Sequence, residues 1–379
     1  MSQAPETETV YEKSARFAES VFRDFSSGEI PQTLRQDLQE TYDFYLDGET
    51  RERLSEMHPI KRWAFSTWYL CKNLVLKLTP TRRIILLVGV VLAIDGAGGD
   101  TTNLLLGFLA LLFILGLELK DKLLAHDELE AGRVVQSALM PERRPKFSGW
   151  DIWLYTAPAN DVGGDLVDCQ KVDKQRFAVS LGDVSGKGLG AALFMAKLQA
   201  TVRAISPSIR SLAELGARVN EIFCRDGLPG RFASLVYAEL TRDAGEVRFV
   251  NAGHLPPHLV KREGVVETDK GGPAIGLSVN ARYTESDLHM EPGEVLVLVS
   301  DGVTEARDQY GSFFGDDRFH RLLEYAYGHS AAEVGEQIVD AVEAFVGAAR
   351  PSDDLSVAVI ARRPARVLGS GPPPGKSRV

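Results

Sequence analysis

The chain has few cysteines, no excess of basic charge and no basic, apolar N-terminus. Its three cysteines among 379 residues, Cys71, Cys169 and Cys224, lie far apart. This spacing predicts neither a disulfide framework nor a cysteine-ligated zinc site, and it fits a reducing compartment. The net charge of -9 argues against a nucleic-acid binder, which needs a basic face to meet phosphates. The polar, acidic residues 1–9 are not typical of a cleaved signal peptide.

Lysine and arginine are absent from residues 84–119, where two apolar runs are joined by a turn rich in glycine and aspartate. The runs are Ile84–Ile94 and Leu104–Leu117. Basic residues flank the pair, with Lys77, Arg82 and Arg83 before it and Lys120 and Lys122 after it. This pattern predicts a transmembrane helical hairpin with both ends in the cytoplasm. Each run is shorter than the roughly 20 residues that a span usually needs, so the alternative is a buried hairpin in a soluble domain or a dimer interface.

Composition divides the chain into five segments. They are a helical N-terminal segment (1–83), the apolar hairpin (84–119), a polar linker helix (120–141), a mixed domain (145–362) and a Gly/Pro-rich tail expected to be disordered (363–379). In the linker, Leu124, Ala131 and Ala138 recur every seven residues, which makes this helix a candidate seam for a homodimer. Pro141 ends it.

The mixed domain alternates strand-like and helix-like patterns. Strands are predicted at Asp151–Ala157, Arg176–Leu181, Ala233–Leu240, Glu246–Asn251, Glu294–Val299 and Leu355–Ala361, and helices at Leu189–Ile205, Ser211–Arg225, Asp316–Tyr327 and Ala331–Val346. Helices are inserted between hairpins and do not follow every strand. The pattern favours an α+β fold with two sheets and helices outside them.

Acidic residues occur at the edges of four predicted strands, each beside a glycine or a second acid. Asp165 precedes a strand, Asp183 and Asp301 follow strands, and the pair Asp353 and Asp354 precedes the last strand. In antiparallel sheets the end of one strand lies beside the start of its neighbour. We therefore expect all four positions to meet at one rim.

Carboxylates that converge in one cleft repel each other, and bound cations relieve that repulsion. Oxygen ligands favour hard ions such as Mg²⁺ or Mn²⁺. Two such ions held close together can activate a water molecule and clamp a phosphoryl group. Each Gly-Asp or Asp-Gly pair alone is typical of an ordinary turn, so the interpretation depends on the combination.

Five motifs in order resemble the SpoIIE/RsbU branch of the metal-dependent, protein phosphatase 2C-like (PPM) serine/threonine phosphatases. They are VGGDLVD (162–168), LGDVSGKG (181–188), NAGHLPP (251–257), SDGVTE (300–305) and DDLSV (353–357). The resemblance covers about residues 128–361, and residues 134–141 resemble the linker helix that precedes such catalytic domains. It implies a β-sandwich flanked by helices on both faces, with two Mn²⁺ or Mg²⁺ ions between the sheets.

The resemblance also implies roles for individual residues. The catalytic and metal-binding set is Asp165, Asp183 as the bridging ligand, the Val184 carbonyl, Asp301 and Asp353, with Asp354 as the alternative to Asp353. Gly186 and Lys187 are candidate contacts for the substrate phosphate, although an exposed loop lysine is also compatible with simple solvation.

The chain departs from the wider superfamily at two points. Residues 184–186 contain no histidine to act as a general acid, and Asn160 and Asp161 stand where a phosphate-binding arginine is expected. His254 is a candidate for catalysis or for a structural role in a turn. Asp168 is a candidate for orienting a ligand water or for capping a turn.

The expected function is hydrolysis of phosphoserine or phosphothreonine in proteins. By the resemblance, the substrate is a STAS-like anti-sigma factor antagonist in bacterial partner switching. The expected location is the cell membrane, with the catalytic domain in the cytoplasm. The alternatives are a cytoplasmic enzyme, a catalytically inactive phosphoprotein-binding module of the same fold, and a membrane signalling scaffold.

Overall fold

The computed structural model describes residues 59–227 and 230–363. The predicted N-terminal helical segment lies outside the described residues up to residue 58, and so does the predicted tail from residue 364. The contacts within the chain define two units, which divide between Leu123 and Leu124.

The first unit contains helices α1 (Pro59–Lys77), α2 (Pro80–Ala97) and the first part of α3 (Thr101–Leu139). Helices α2 and α3 contain the two apolar runs and pack as a hairpin through glycines. A Cβ on Gly107 would lie 2.6 Å from the backbone nitrogen of Ala93, and one on Gly96 would lie 2.1 Å from that of Leu104. The two backbones therefore approach more closely than larger residues would allow.

The hairpin's second run and the predicted linker helix form one continuous helix, α3. The predicted division at residues 119 and 120 falls inside it, because no proline interrupts residues 101–140. The helix ends at Leu139, two residues before Pro141, whose ring disfavours helical backbone in the residue before it.

Besides the end of α3, the described part of the second unit contains ten strands and five helices. The strands are β1 (Trp150–Ala157), β2 (Leu166–Lys171), β3 (Arg176–Val184), β4 (Ala233–Thr241), β5 (Glu246–Ala252), β6 (His258–Lys261), β7 (Gly264–Glu267), β8 (Glu285–His289), β9 (Val295–Val299) and β10 (Leu355–Arg362). The helices are α4 (Leu189–Ile205), α5 (Leu212–Asp226), α6 (Asp301–Thr304), α7 (Asp316–Leu323) and α8 (Ala331–Val346), with one 3-10 turn at Ser206–Ser208.

The strands form two antiparallel sheets with a shared core. The first sheet has the order β1-β10-β9-β6-β7, and the second has the order β2-β3-β4-β5-β8. Apolar residues from alternate positions, such as Leu181 in β3 and Leu298 in β9, fill the space between the sheets. Helices α4 and α5 cover the outer face of the second sheet, and α7 and α8 cover that of the first. The predicted α+β sandwich with helices on both faces is confirmed.

Candidate metal centre

Four strand edges bring the predicted acidic residues to one rim of the sandwich. Asp165 directly precedes β2, and Asp183 is the second-to-last residue of the neighbouring strand β3. Asp301 begins α6 just after β9, and Asp353 lies two residues before β10, which pairs with β9. Because both pairs of strands are antiparallel, their ends lie side by side.

Asp165 is the most buried of these acids, with 3% of its surface exposed. Its Oδ2 atom is buried and has no hydrogen-bond partner. Burial and the nearby Asp183 carboxylate hold its pKa well above the usual range, while the Ser356 and Ser300 hydroxyls act in the opposite direction. A buried carboxylate oxygen without a partner is costly, and a cation at this position would supply the partner.

The carboxyl groups of Asp183 and Asp301 lie close to other acidic side chains. Burial raises the pKa of Asp183, and the carboxylates of Asp301 and Asp353 raise it further. Burial also raises the pKa of Asp301, followed by repulsion from Asp353 and Glu305. Mutual repulsion of this kind is what a divalent cation relieves.

The adjacent residues Asp353 and Asp354 have different surroundings. Asp354 is buried, and its oxygens accept hydrogen bonds from the backbone nitrogens of Ala159 (2.8 Å), Gly164 (2.6 Å) and Asp165 (3.4 Å). Asp353 is 44% exposed and faces Asp183 and Asp301. Its carboxylate is thus available to an ion, whereas that of Asp354 holds the loop that carries Asp165.

Two glycines before Asp165 keep the space at the rim open. A Cβ on Gly164 would lie 3.2 Å from the Val184 carbonyl oxygen and 3.7 Å from Oδ1 of Asp183. A Cβ on Gly163 would lie 2.6 Å from Oδ2 of Asp354. The glycine pair therefore lets the loop approach the Val184 carbonyl and the carboxylates, as a shared oxygen-ligand site requires.

The aspartates are spread along the rim. Within the described ranges, the three-residue cluster whose ligand atoms lie within 4.8 Å of one another is a different one, formed by His258, Glu267 and His320. Ligands of a single Mg²⁺ ion, at about 2.1 Å from it, lie at most about 4.2 Å apart.

Two basic side chains border the rim. Lys187 donates to the Ser352 carbonyl (2.8 Å), and its Nζ lies 3.1 Å from Oδ2 of Asp353. The Arg231 guanidinium donates to the Ser185 carbonyl beside Gly186. Arg231 was not among the residues expected from the sequence. The register of the sheet explains the position of Arg231. Val184 pairs with Ala233, so the residues just before β4 lie beside the loop that follows β3.

His254 is buried and links β4, the neighbour of the strand that contains Asp183, to β9, the strand that precedes Asp301. Its Nε2 lies 3.1 Å from the Val299 carbonyl, and its Nδ1 lies 2.7 Å from Oγ of Ser234. The same hydroxyl oxygen accepts a hydrogen bond from the Asp183 backbone nitrogen (3.1 Å). Burial lowers the pKa of His254 to about 4, so the ring is neutral at pH 7. With both nitrogens engaged, His254 fits the structural alternative and not that of a proton donor.

Asp168 is also engaged by a structural partner. Both of its oxygens accept from the Arg203 guanidinium of α4, at 2.7 and 2.5 Å, and one also accepts from the Cys169 nitrogen. This bidentate pair ties β2 to α4. It leaves the water-orienting alternative without support.

A cleft of about 460 Å³ opens beside the rim. It is mostly apolar, and its lining includes Tyr155, Pro158, Val342, Val346, Gly302 and Asp353. The cleft thus adjoins both the candidate ligand Asp353 and the start of α6.

The fold is similar to that of a known phosphatase domain. The structure of the SiaA-PP2C domain of Pseudomonas aeruginosa matches with a TM-score of 0.55 and 19% sequence identity, covering 64% of this chain and 98% of that domain. The second unit therefore has the PP2C-like fold.

Residues 173–363, half of the chain, match the family Stage II sporulation protein E (SpoIIE). The chain belongs to the SpoIIE family, as the resemblance predicted.

Curated relatives agree with this assignment. Protein IcfG of Synechocystis sp. (strain ATCC 27184 / PCC 6803 / Kazusa) is 30% identical in an alignment of 224 positions that covers 52% of this chain and 35% of the relative. Phosphoserine phosphatase RsbU of Bacillus subtilis (strain 168) is 28% identical over 217 residues, 57% of this chain and 64% of the relative. The chain thus spans less than two thirds of the length of either relative.

Proposed function

We propose that the second unit is a metal-dependent protein phosphatase that hydrolyses phosphoserine or phosphothreonine. The observation that carries the proposal is the rim of four aspartates, in which a buried Asp165 oxygen has no partner and burial, together with mutual repulsion, raises the pKa values of Asp183 and Asp301. The relatives RsbU and RsbP, both named phosphoserine phosphatases, support the same reaction.

The proposed ligands are Asp165, Asp183, Asp301, Asp353 and the Val184 carbonyl. Asp354 is proposed to position the Asp165 loop through its bonds to backbone nitrogens. An all-oxygen set of this kind suits Mn²⁺ or Mg²⁺. Two such ions, when bound, supply the positive charge and the Lewis acidity that phosphate-ester hydrolysis requires.

Lys187, Gly186 and Arg231 are the proposed contacts for the substrate phosphate. The ammonium of Lys187 lies against Asp353, where a phosphate dianion would be drawn towards it. The N-terminus of α4 begins next to it, with Gly188 as its N-cap and no acidic residue in its first turn, which favours an anion. The mostly apolar cleft beside Asp353, of about 460 Å³, is the proposed place for the polypeptide that carries the phosphate.

The proposed substrate is a STAS-like anti-sigma factor antagonist, and the proposed pathway is partner switching. This part of the proposal rests on membership of the SpoIIE family and on the likeness to RsbU and RsbP. Fold likeness alone does not identify a substrate, so candidate phosphoproteins must be compared directly.

We further propose that the hairpin anchors the chain in the cell membrane and leaves the catalytic unit in the cytoplasm. Of the described helices, α3 is the one long and apolar enough to cross a membrane, with a mean hydropathy of 2.1. Apolar side chains on the outside of the hairpin, among them Ile94, Leu105 and Phe108, are more than half exposed.

A dimer interface is the alternative, and Val134 and Val135, both exposed, support a homodimer through the later part of α3. Extraction of the full chain from membranes by carbonate would favour the dimer alternative.

The phosphatase proposal is tested by turnover of a phosphoserine peptide by the 379-residue chain. We expect hydrolysis with Mn²⁺ or Mg²⁺ and none with excess chelator. Absence of turnover with every divalent cation, in protein that still binds the phosphopeptide, would favour the inactive phosphoprotein-binding module.

A further inference from the structure

Two histidines and one glutamate meet on the outer face of the first sheet, away from the aspartate rim. His258 begins β6, Glu267 is its partner across the β6–β7 hairpin, and His320 lies on α7. One ligand atom from each residue lies within 4.8 Å of the others. None of these residues belongs to the proposed phosphatase site.

The ring of His258 has one nitrogen atom to which no neighbouring group is hydrogen-bonded. Its Nδ1 is buried and has no hydrogen-bond partner, and a buried polar atom without a partner is unfavourable. The ring packs edge-on against Phe319 and His320, with centroids 5.1 and 5.4 Å away.

A second carboxylate lies nearby on α7. Asp316 lies four residues before His320, one turn earlier on the same face of α7. Its charge acts on His258, as does that of Glu267. Two imidazoles with one or two carboxylates suit Zn²⁺, whereas the all-oxygen rim suits harder ions.

We propose that His258, Glu267 and His320 form a zinc site, with Asp316 or a water molecule in the fourth position. A tetrahedral Zn²⁺ with bonds of about 2.0–2.1 Å places its ligand atoms about 3.4 Å apart. Glu267 is exposed and His320 is half-buried, so rotations of these side chains can close the remaining gap. The ion would tie the β6–β7 hairpin, at the edge of its sheet, to α7.

The test is a Zn²⁺ titration of the 379-residue chain by calorimetry, with saturating Mg²⁺ present to occupy the all-oxygen rim. We expect one tight site in the wild type and in Asp183→Ala. His258→Ala and His320→Ala should bind at least about 100-fold more weakly, since loss of outer partners alone costs about 10–100-fold. Glu267→Gln, a change at an exposed position, should weaken binding by about tenfold or more.

His329→Ala is the matched control, because it removes an exposed histidine from the loop after α7 and should bind Zn²⁺ as the wild type does. At a hundredfold excess over its Kd, Zn²⁺ should raise the Tm of the wild type by about 5–10 °C and leave that of His320→Ala unchanged. Equal Zn²⁺ affinity in the wild type, His320→Ala and Glu267→Gln would overturn the proposal. Absence of tight binding to the wild type would overturn it too, and would leave the cluster as a histidine pair that shares a proton with Glu267.

Discussion

At the scale of single residues, the pair Asp353 and Asp354 shows what the sequence leaves open. Both residues precede β10, so strand-edge placement alone does not choose between them. Backbone nitrogens of a distant loop, at Ala159 and Gly164, occupy the carboxylate of Asp354. The choice therefore depends on a contact made across more than 180 positions of the chain.

We predict that alanine lowers stability at one of these two positions and metal binding at the other. Asp354→Ala should lower the free energy of unfolding by about 1–3 kcal/mol, because it leaves buried backbone nitrogens without acceptors. Asp353→Ala should change the stability of the metal-free protein by about 0.5 kcal/mol or less but should weaken Mn²⁺ binding. Urea unfolding in chelator and Mn²⁺ calorimetry measure these effects, with the exposed Asp340→Ala as control. A larger loss of metal-free stability in Asp353→Ala would refute the assignment.

His254 should make stability dependent on pH. Its pKa is lowered to about 4 in the fold, against about 6.5 in the unfolded chain. The unfolded state therefore binds the proton more readily, so stability is complete above pH 6.5 and is lost as the pH falls towards 4. The loss between pH 7 and pH 5 should be about 2 kcal/mol.

Urea unfolding at pH 7 and pH 5 checks this prediction by comparing the wild type with His254→Asn. For each protein, the slope is the change in the free energy of unfolding between pH 7 and pH 5. The difference between the two slopes separates the contribution of His254 from that of the rim carboxylates. His289→Asn, which changes an exposed histidine, should keep the wild-type slope. An identical pH dependence in the wild type and His254→Asn would contradict the structural role.

At the scale of elements, periodic or continuously apolar patterns were predictable, and short segments of mixed polarity were not. The runs that became β3, β9, α4 and α8 have clear periodicity or continuous apolar character, and their bounds agree within a few residues. Strands β6, β7 and β8 have only four or five residues each, too few for a period-2 pattern to stand out. The predicted helix Asp316–Tyr327 ends earlier, at Leu323, where the chain turns so that the Gly328 nitrogen donates to the Gly293 carbonyl.

The candidate site was predictable to the extent that it follows strand ends. The aspartates lie at such ends, so their convergence follows from antiparallel pairing. Arg231 and the link from Ser234 through His254 to Val299 join residues of different strands and loops. Local patterns carry no information on such contacts, which depend on the register of the sheets.

The hairpin of α2 and α3 provides a prediction at this scale. Gly107→Leu should separate the helices, because a Cβ there would lie 2.6 Å from the Ala93 nitrogen and 2.8 Å from the Gly89 carbonyl oxygen. Overpacking of this kind costs about 1–3 kcal/mol, so trypsin cleavage after Arg82 or Arg83 in detergent should become about tenfold faster. Gly116→Leu is the matched control, since a Cβ there meets nothing within 4 Å. Equal cleavage rates in both variants would contradict this packing.

At the scale of the whole molecule, the chain combines a β-sandwich, a rim of acidic residues and an apolar helical hairpin. The sandwich places four strand ends at one rim, and the rim carries more negative charge than its basic neighbours, Lys187 and Arg231, offset. We propose that these carboxylates bind the cations on which phosphate hydrolysis depends. Asp183 is the residue on which the claim depends most, because Asp301 and Asp353 both act on its carboxyl.

The most direct test is kcat/KM on a phosphoserine peptide with Mn²⁺ for the wild-type chain, Asp183→Asn and Asp340→Asn. Asp340 is an exposed acid on α8, so its substitution removes the same charge far from the reaction. We predict a loss of about 10²–10³-fold or more in Asp183→Asn and activity within about twofold of the wild type in Asp340→Asn. Wild-type activity in a folded Asp183→Asn variant would contradict the account.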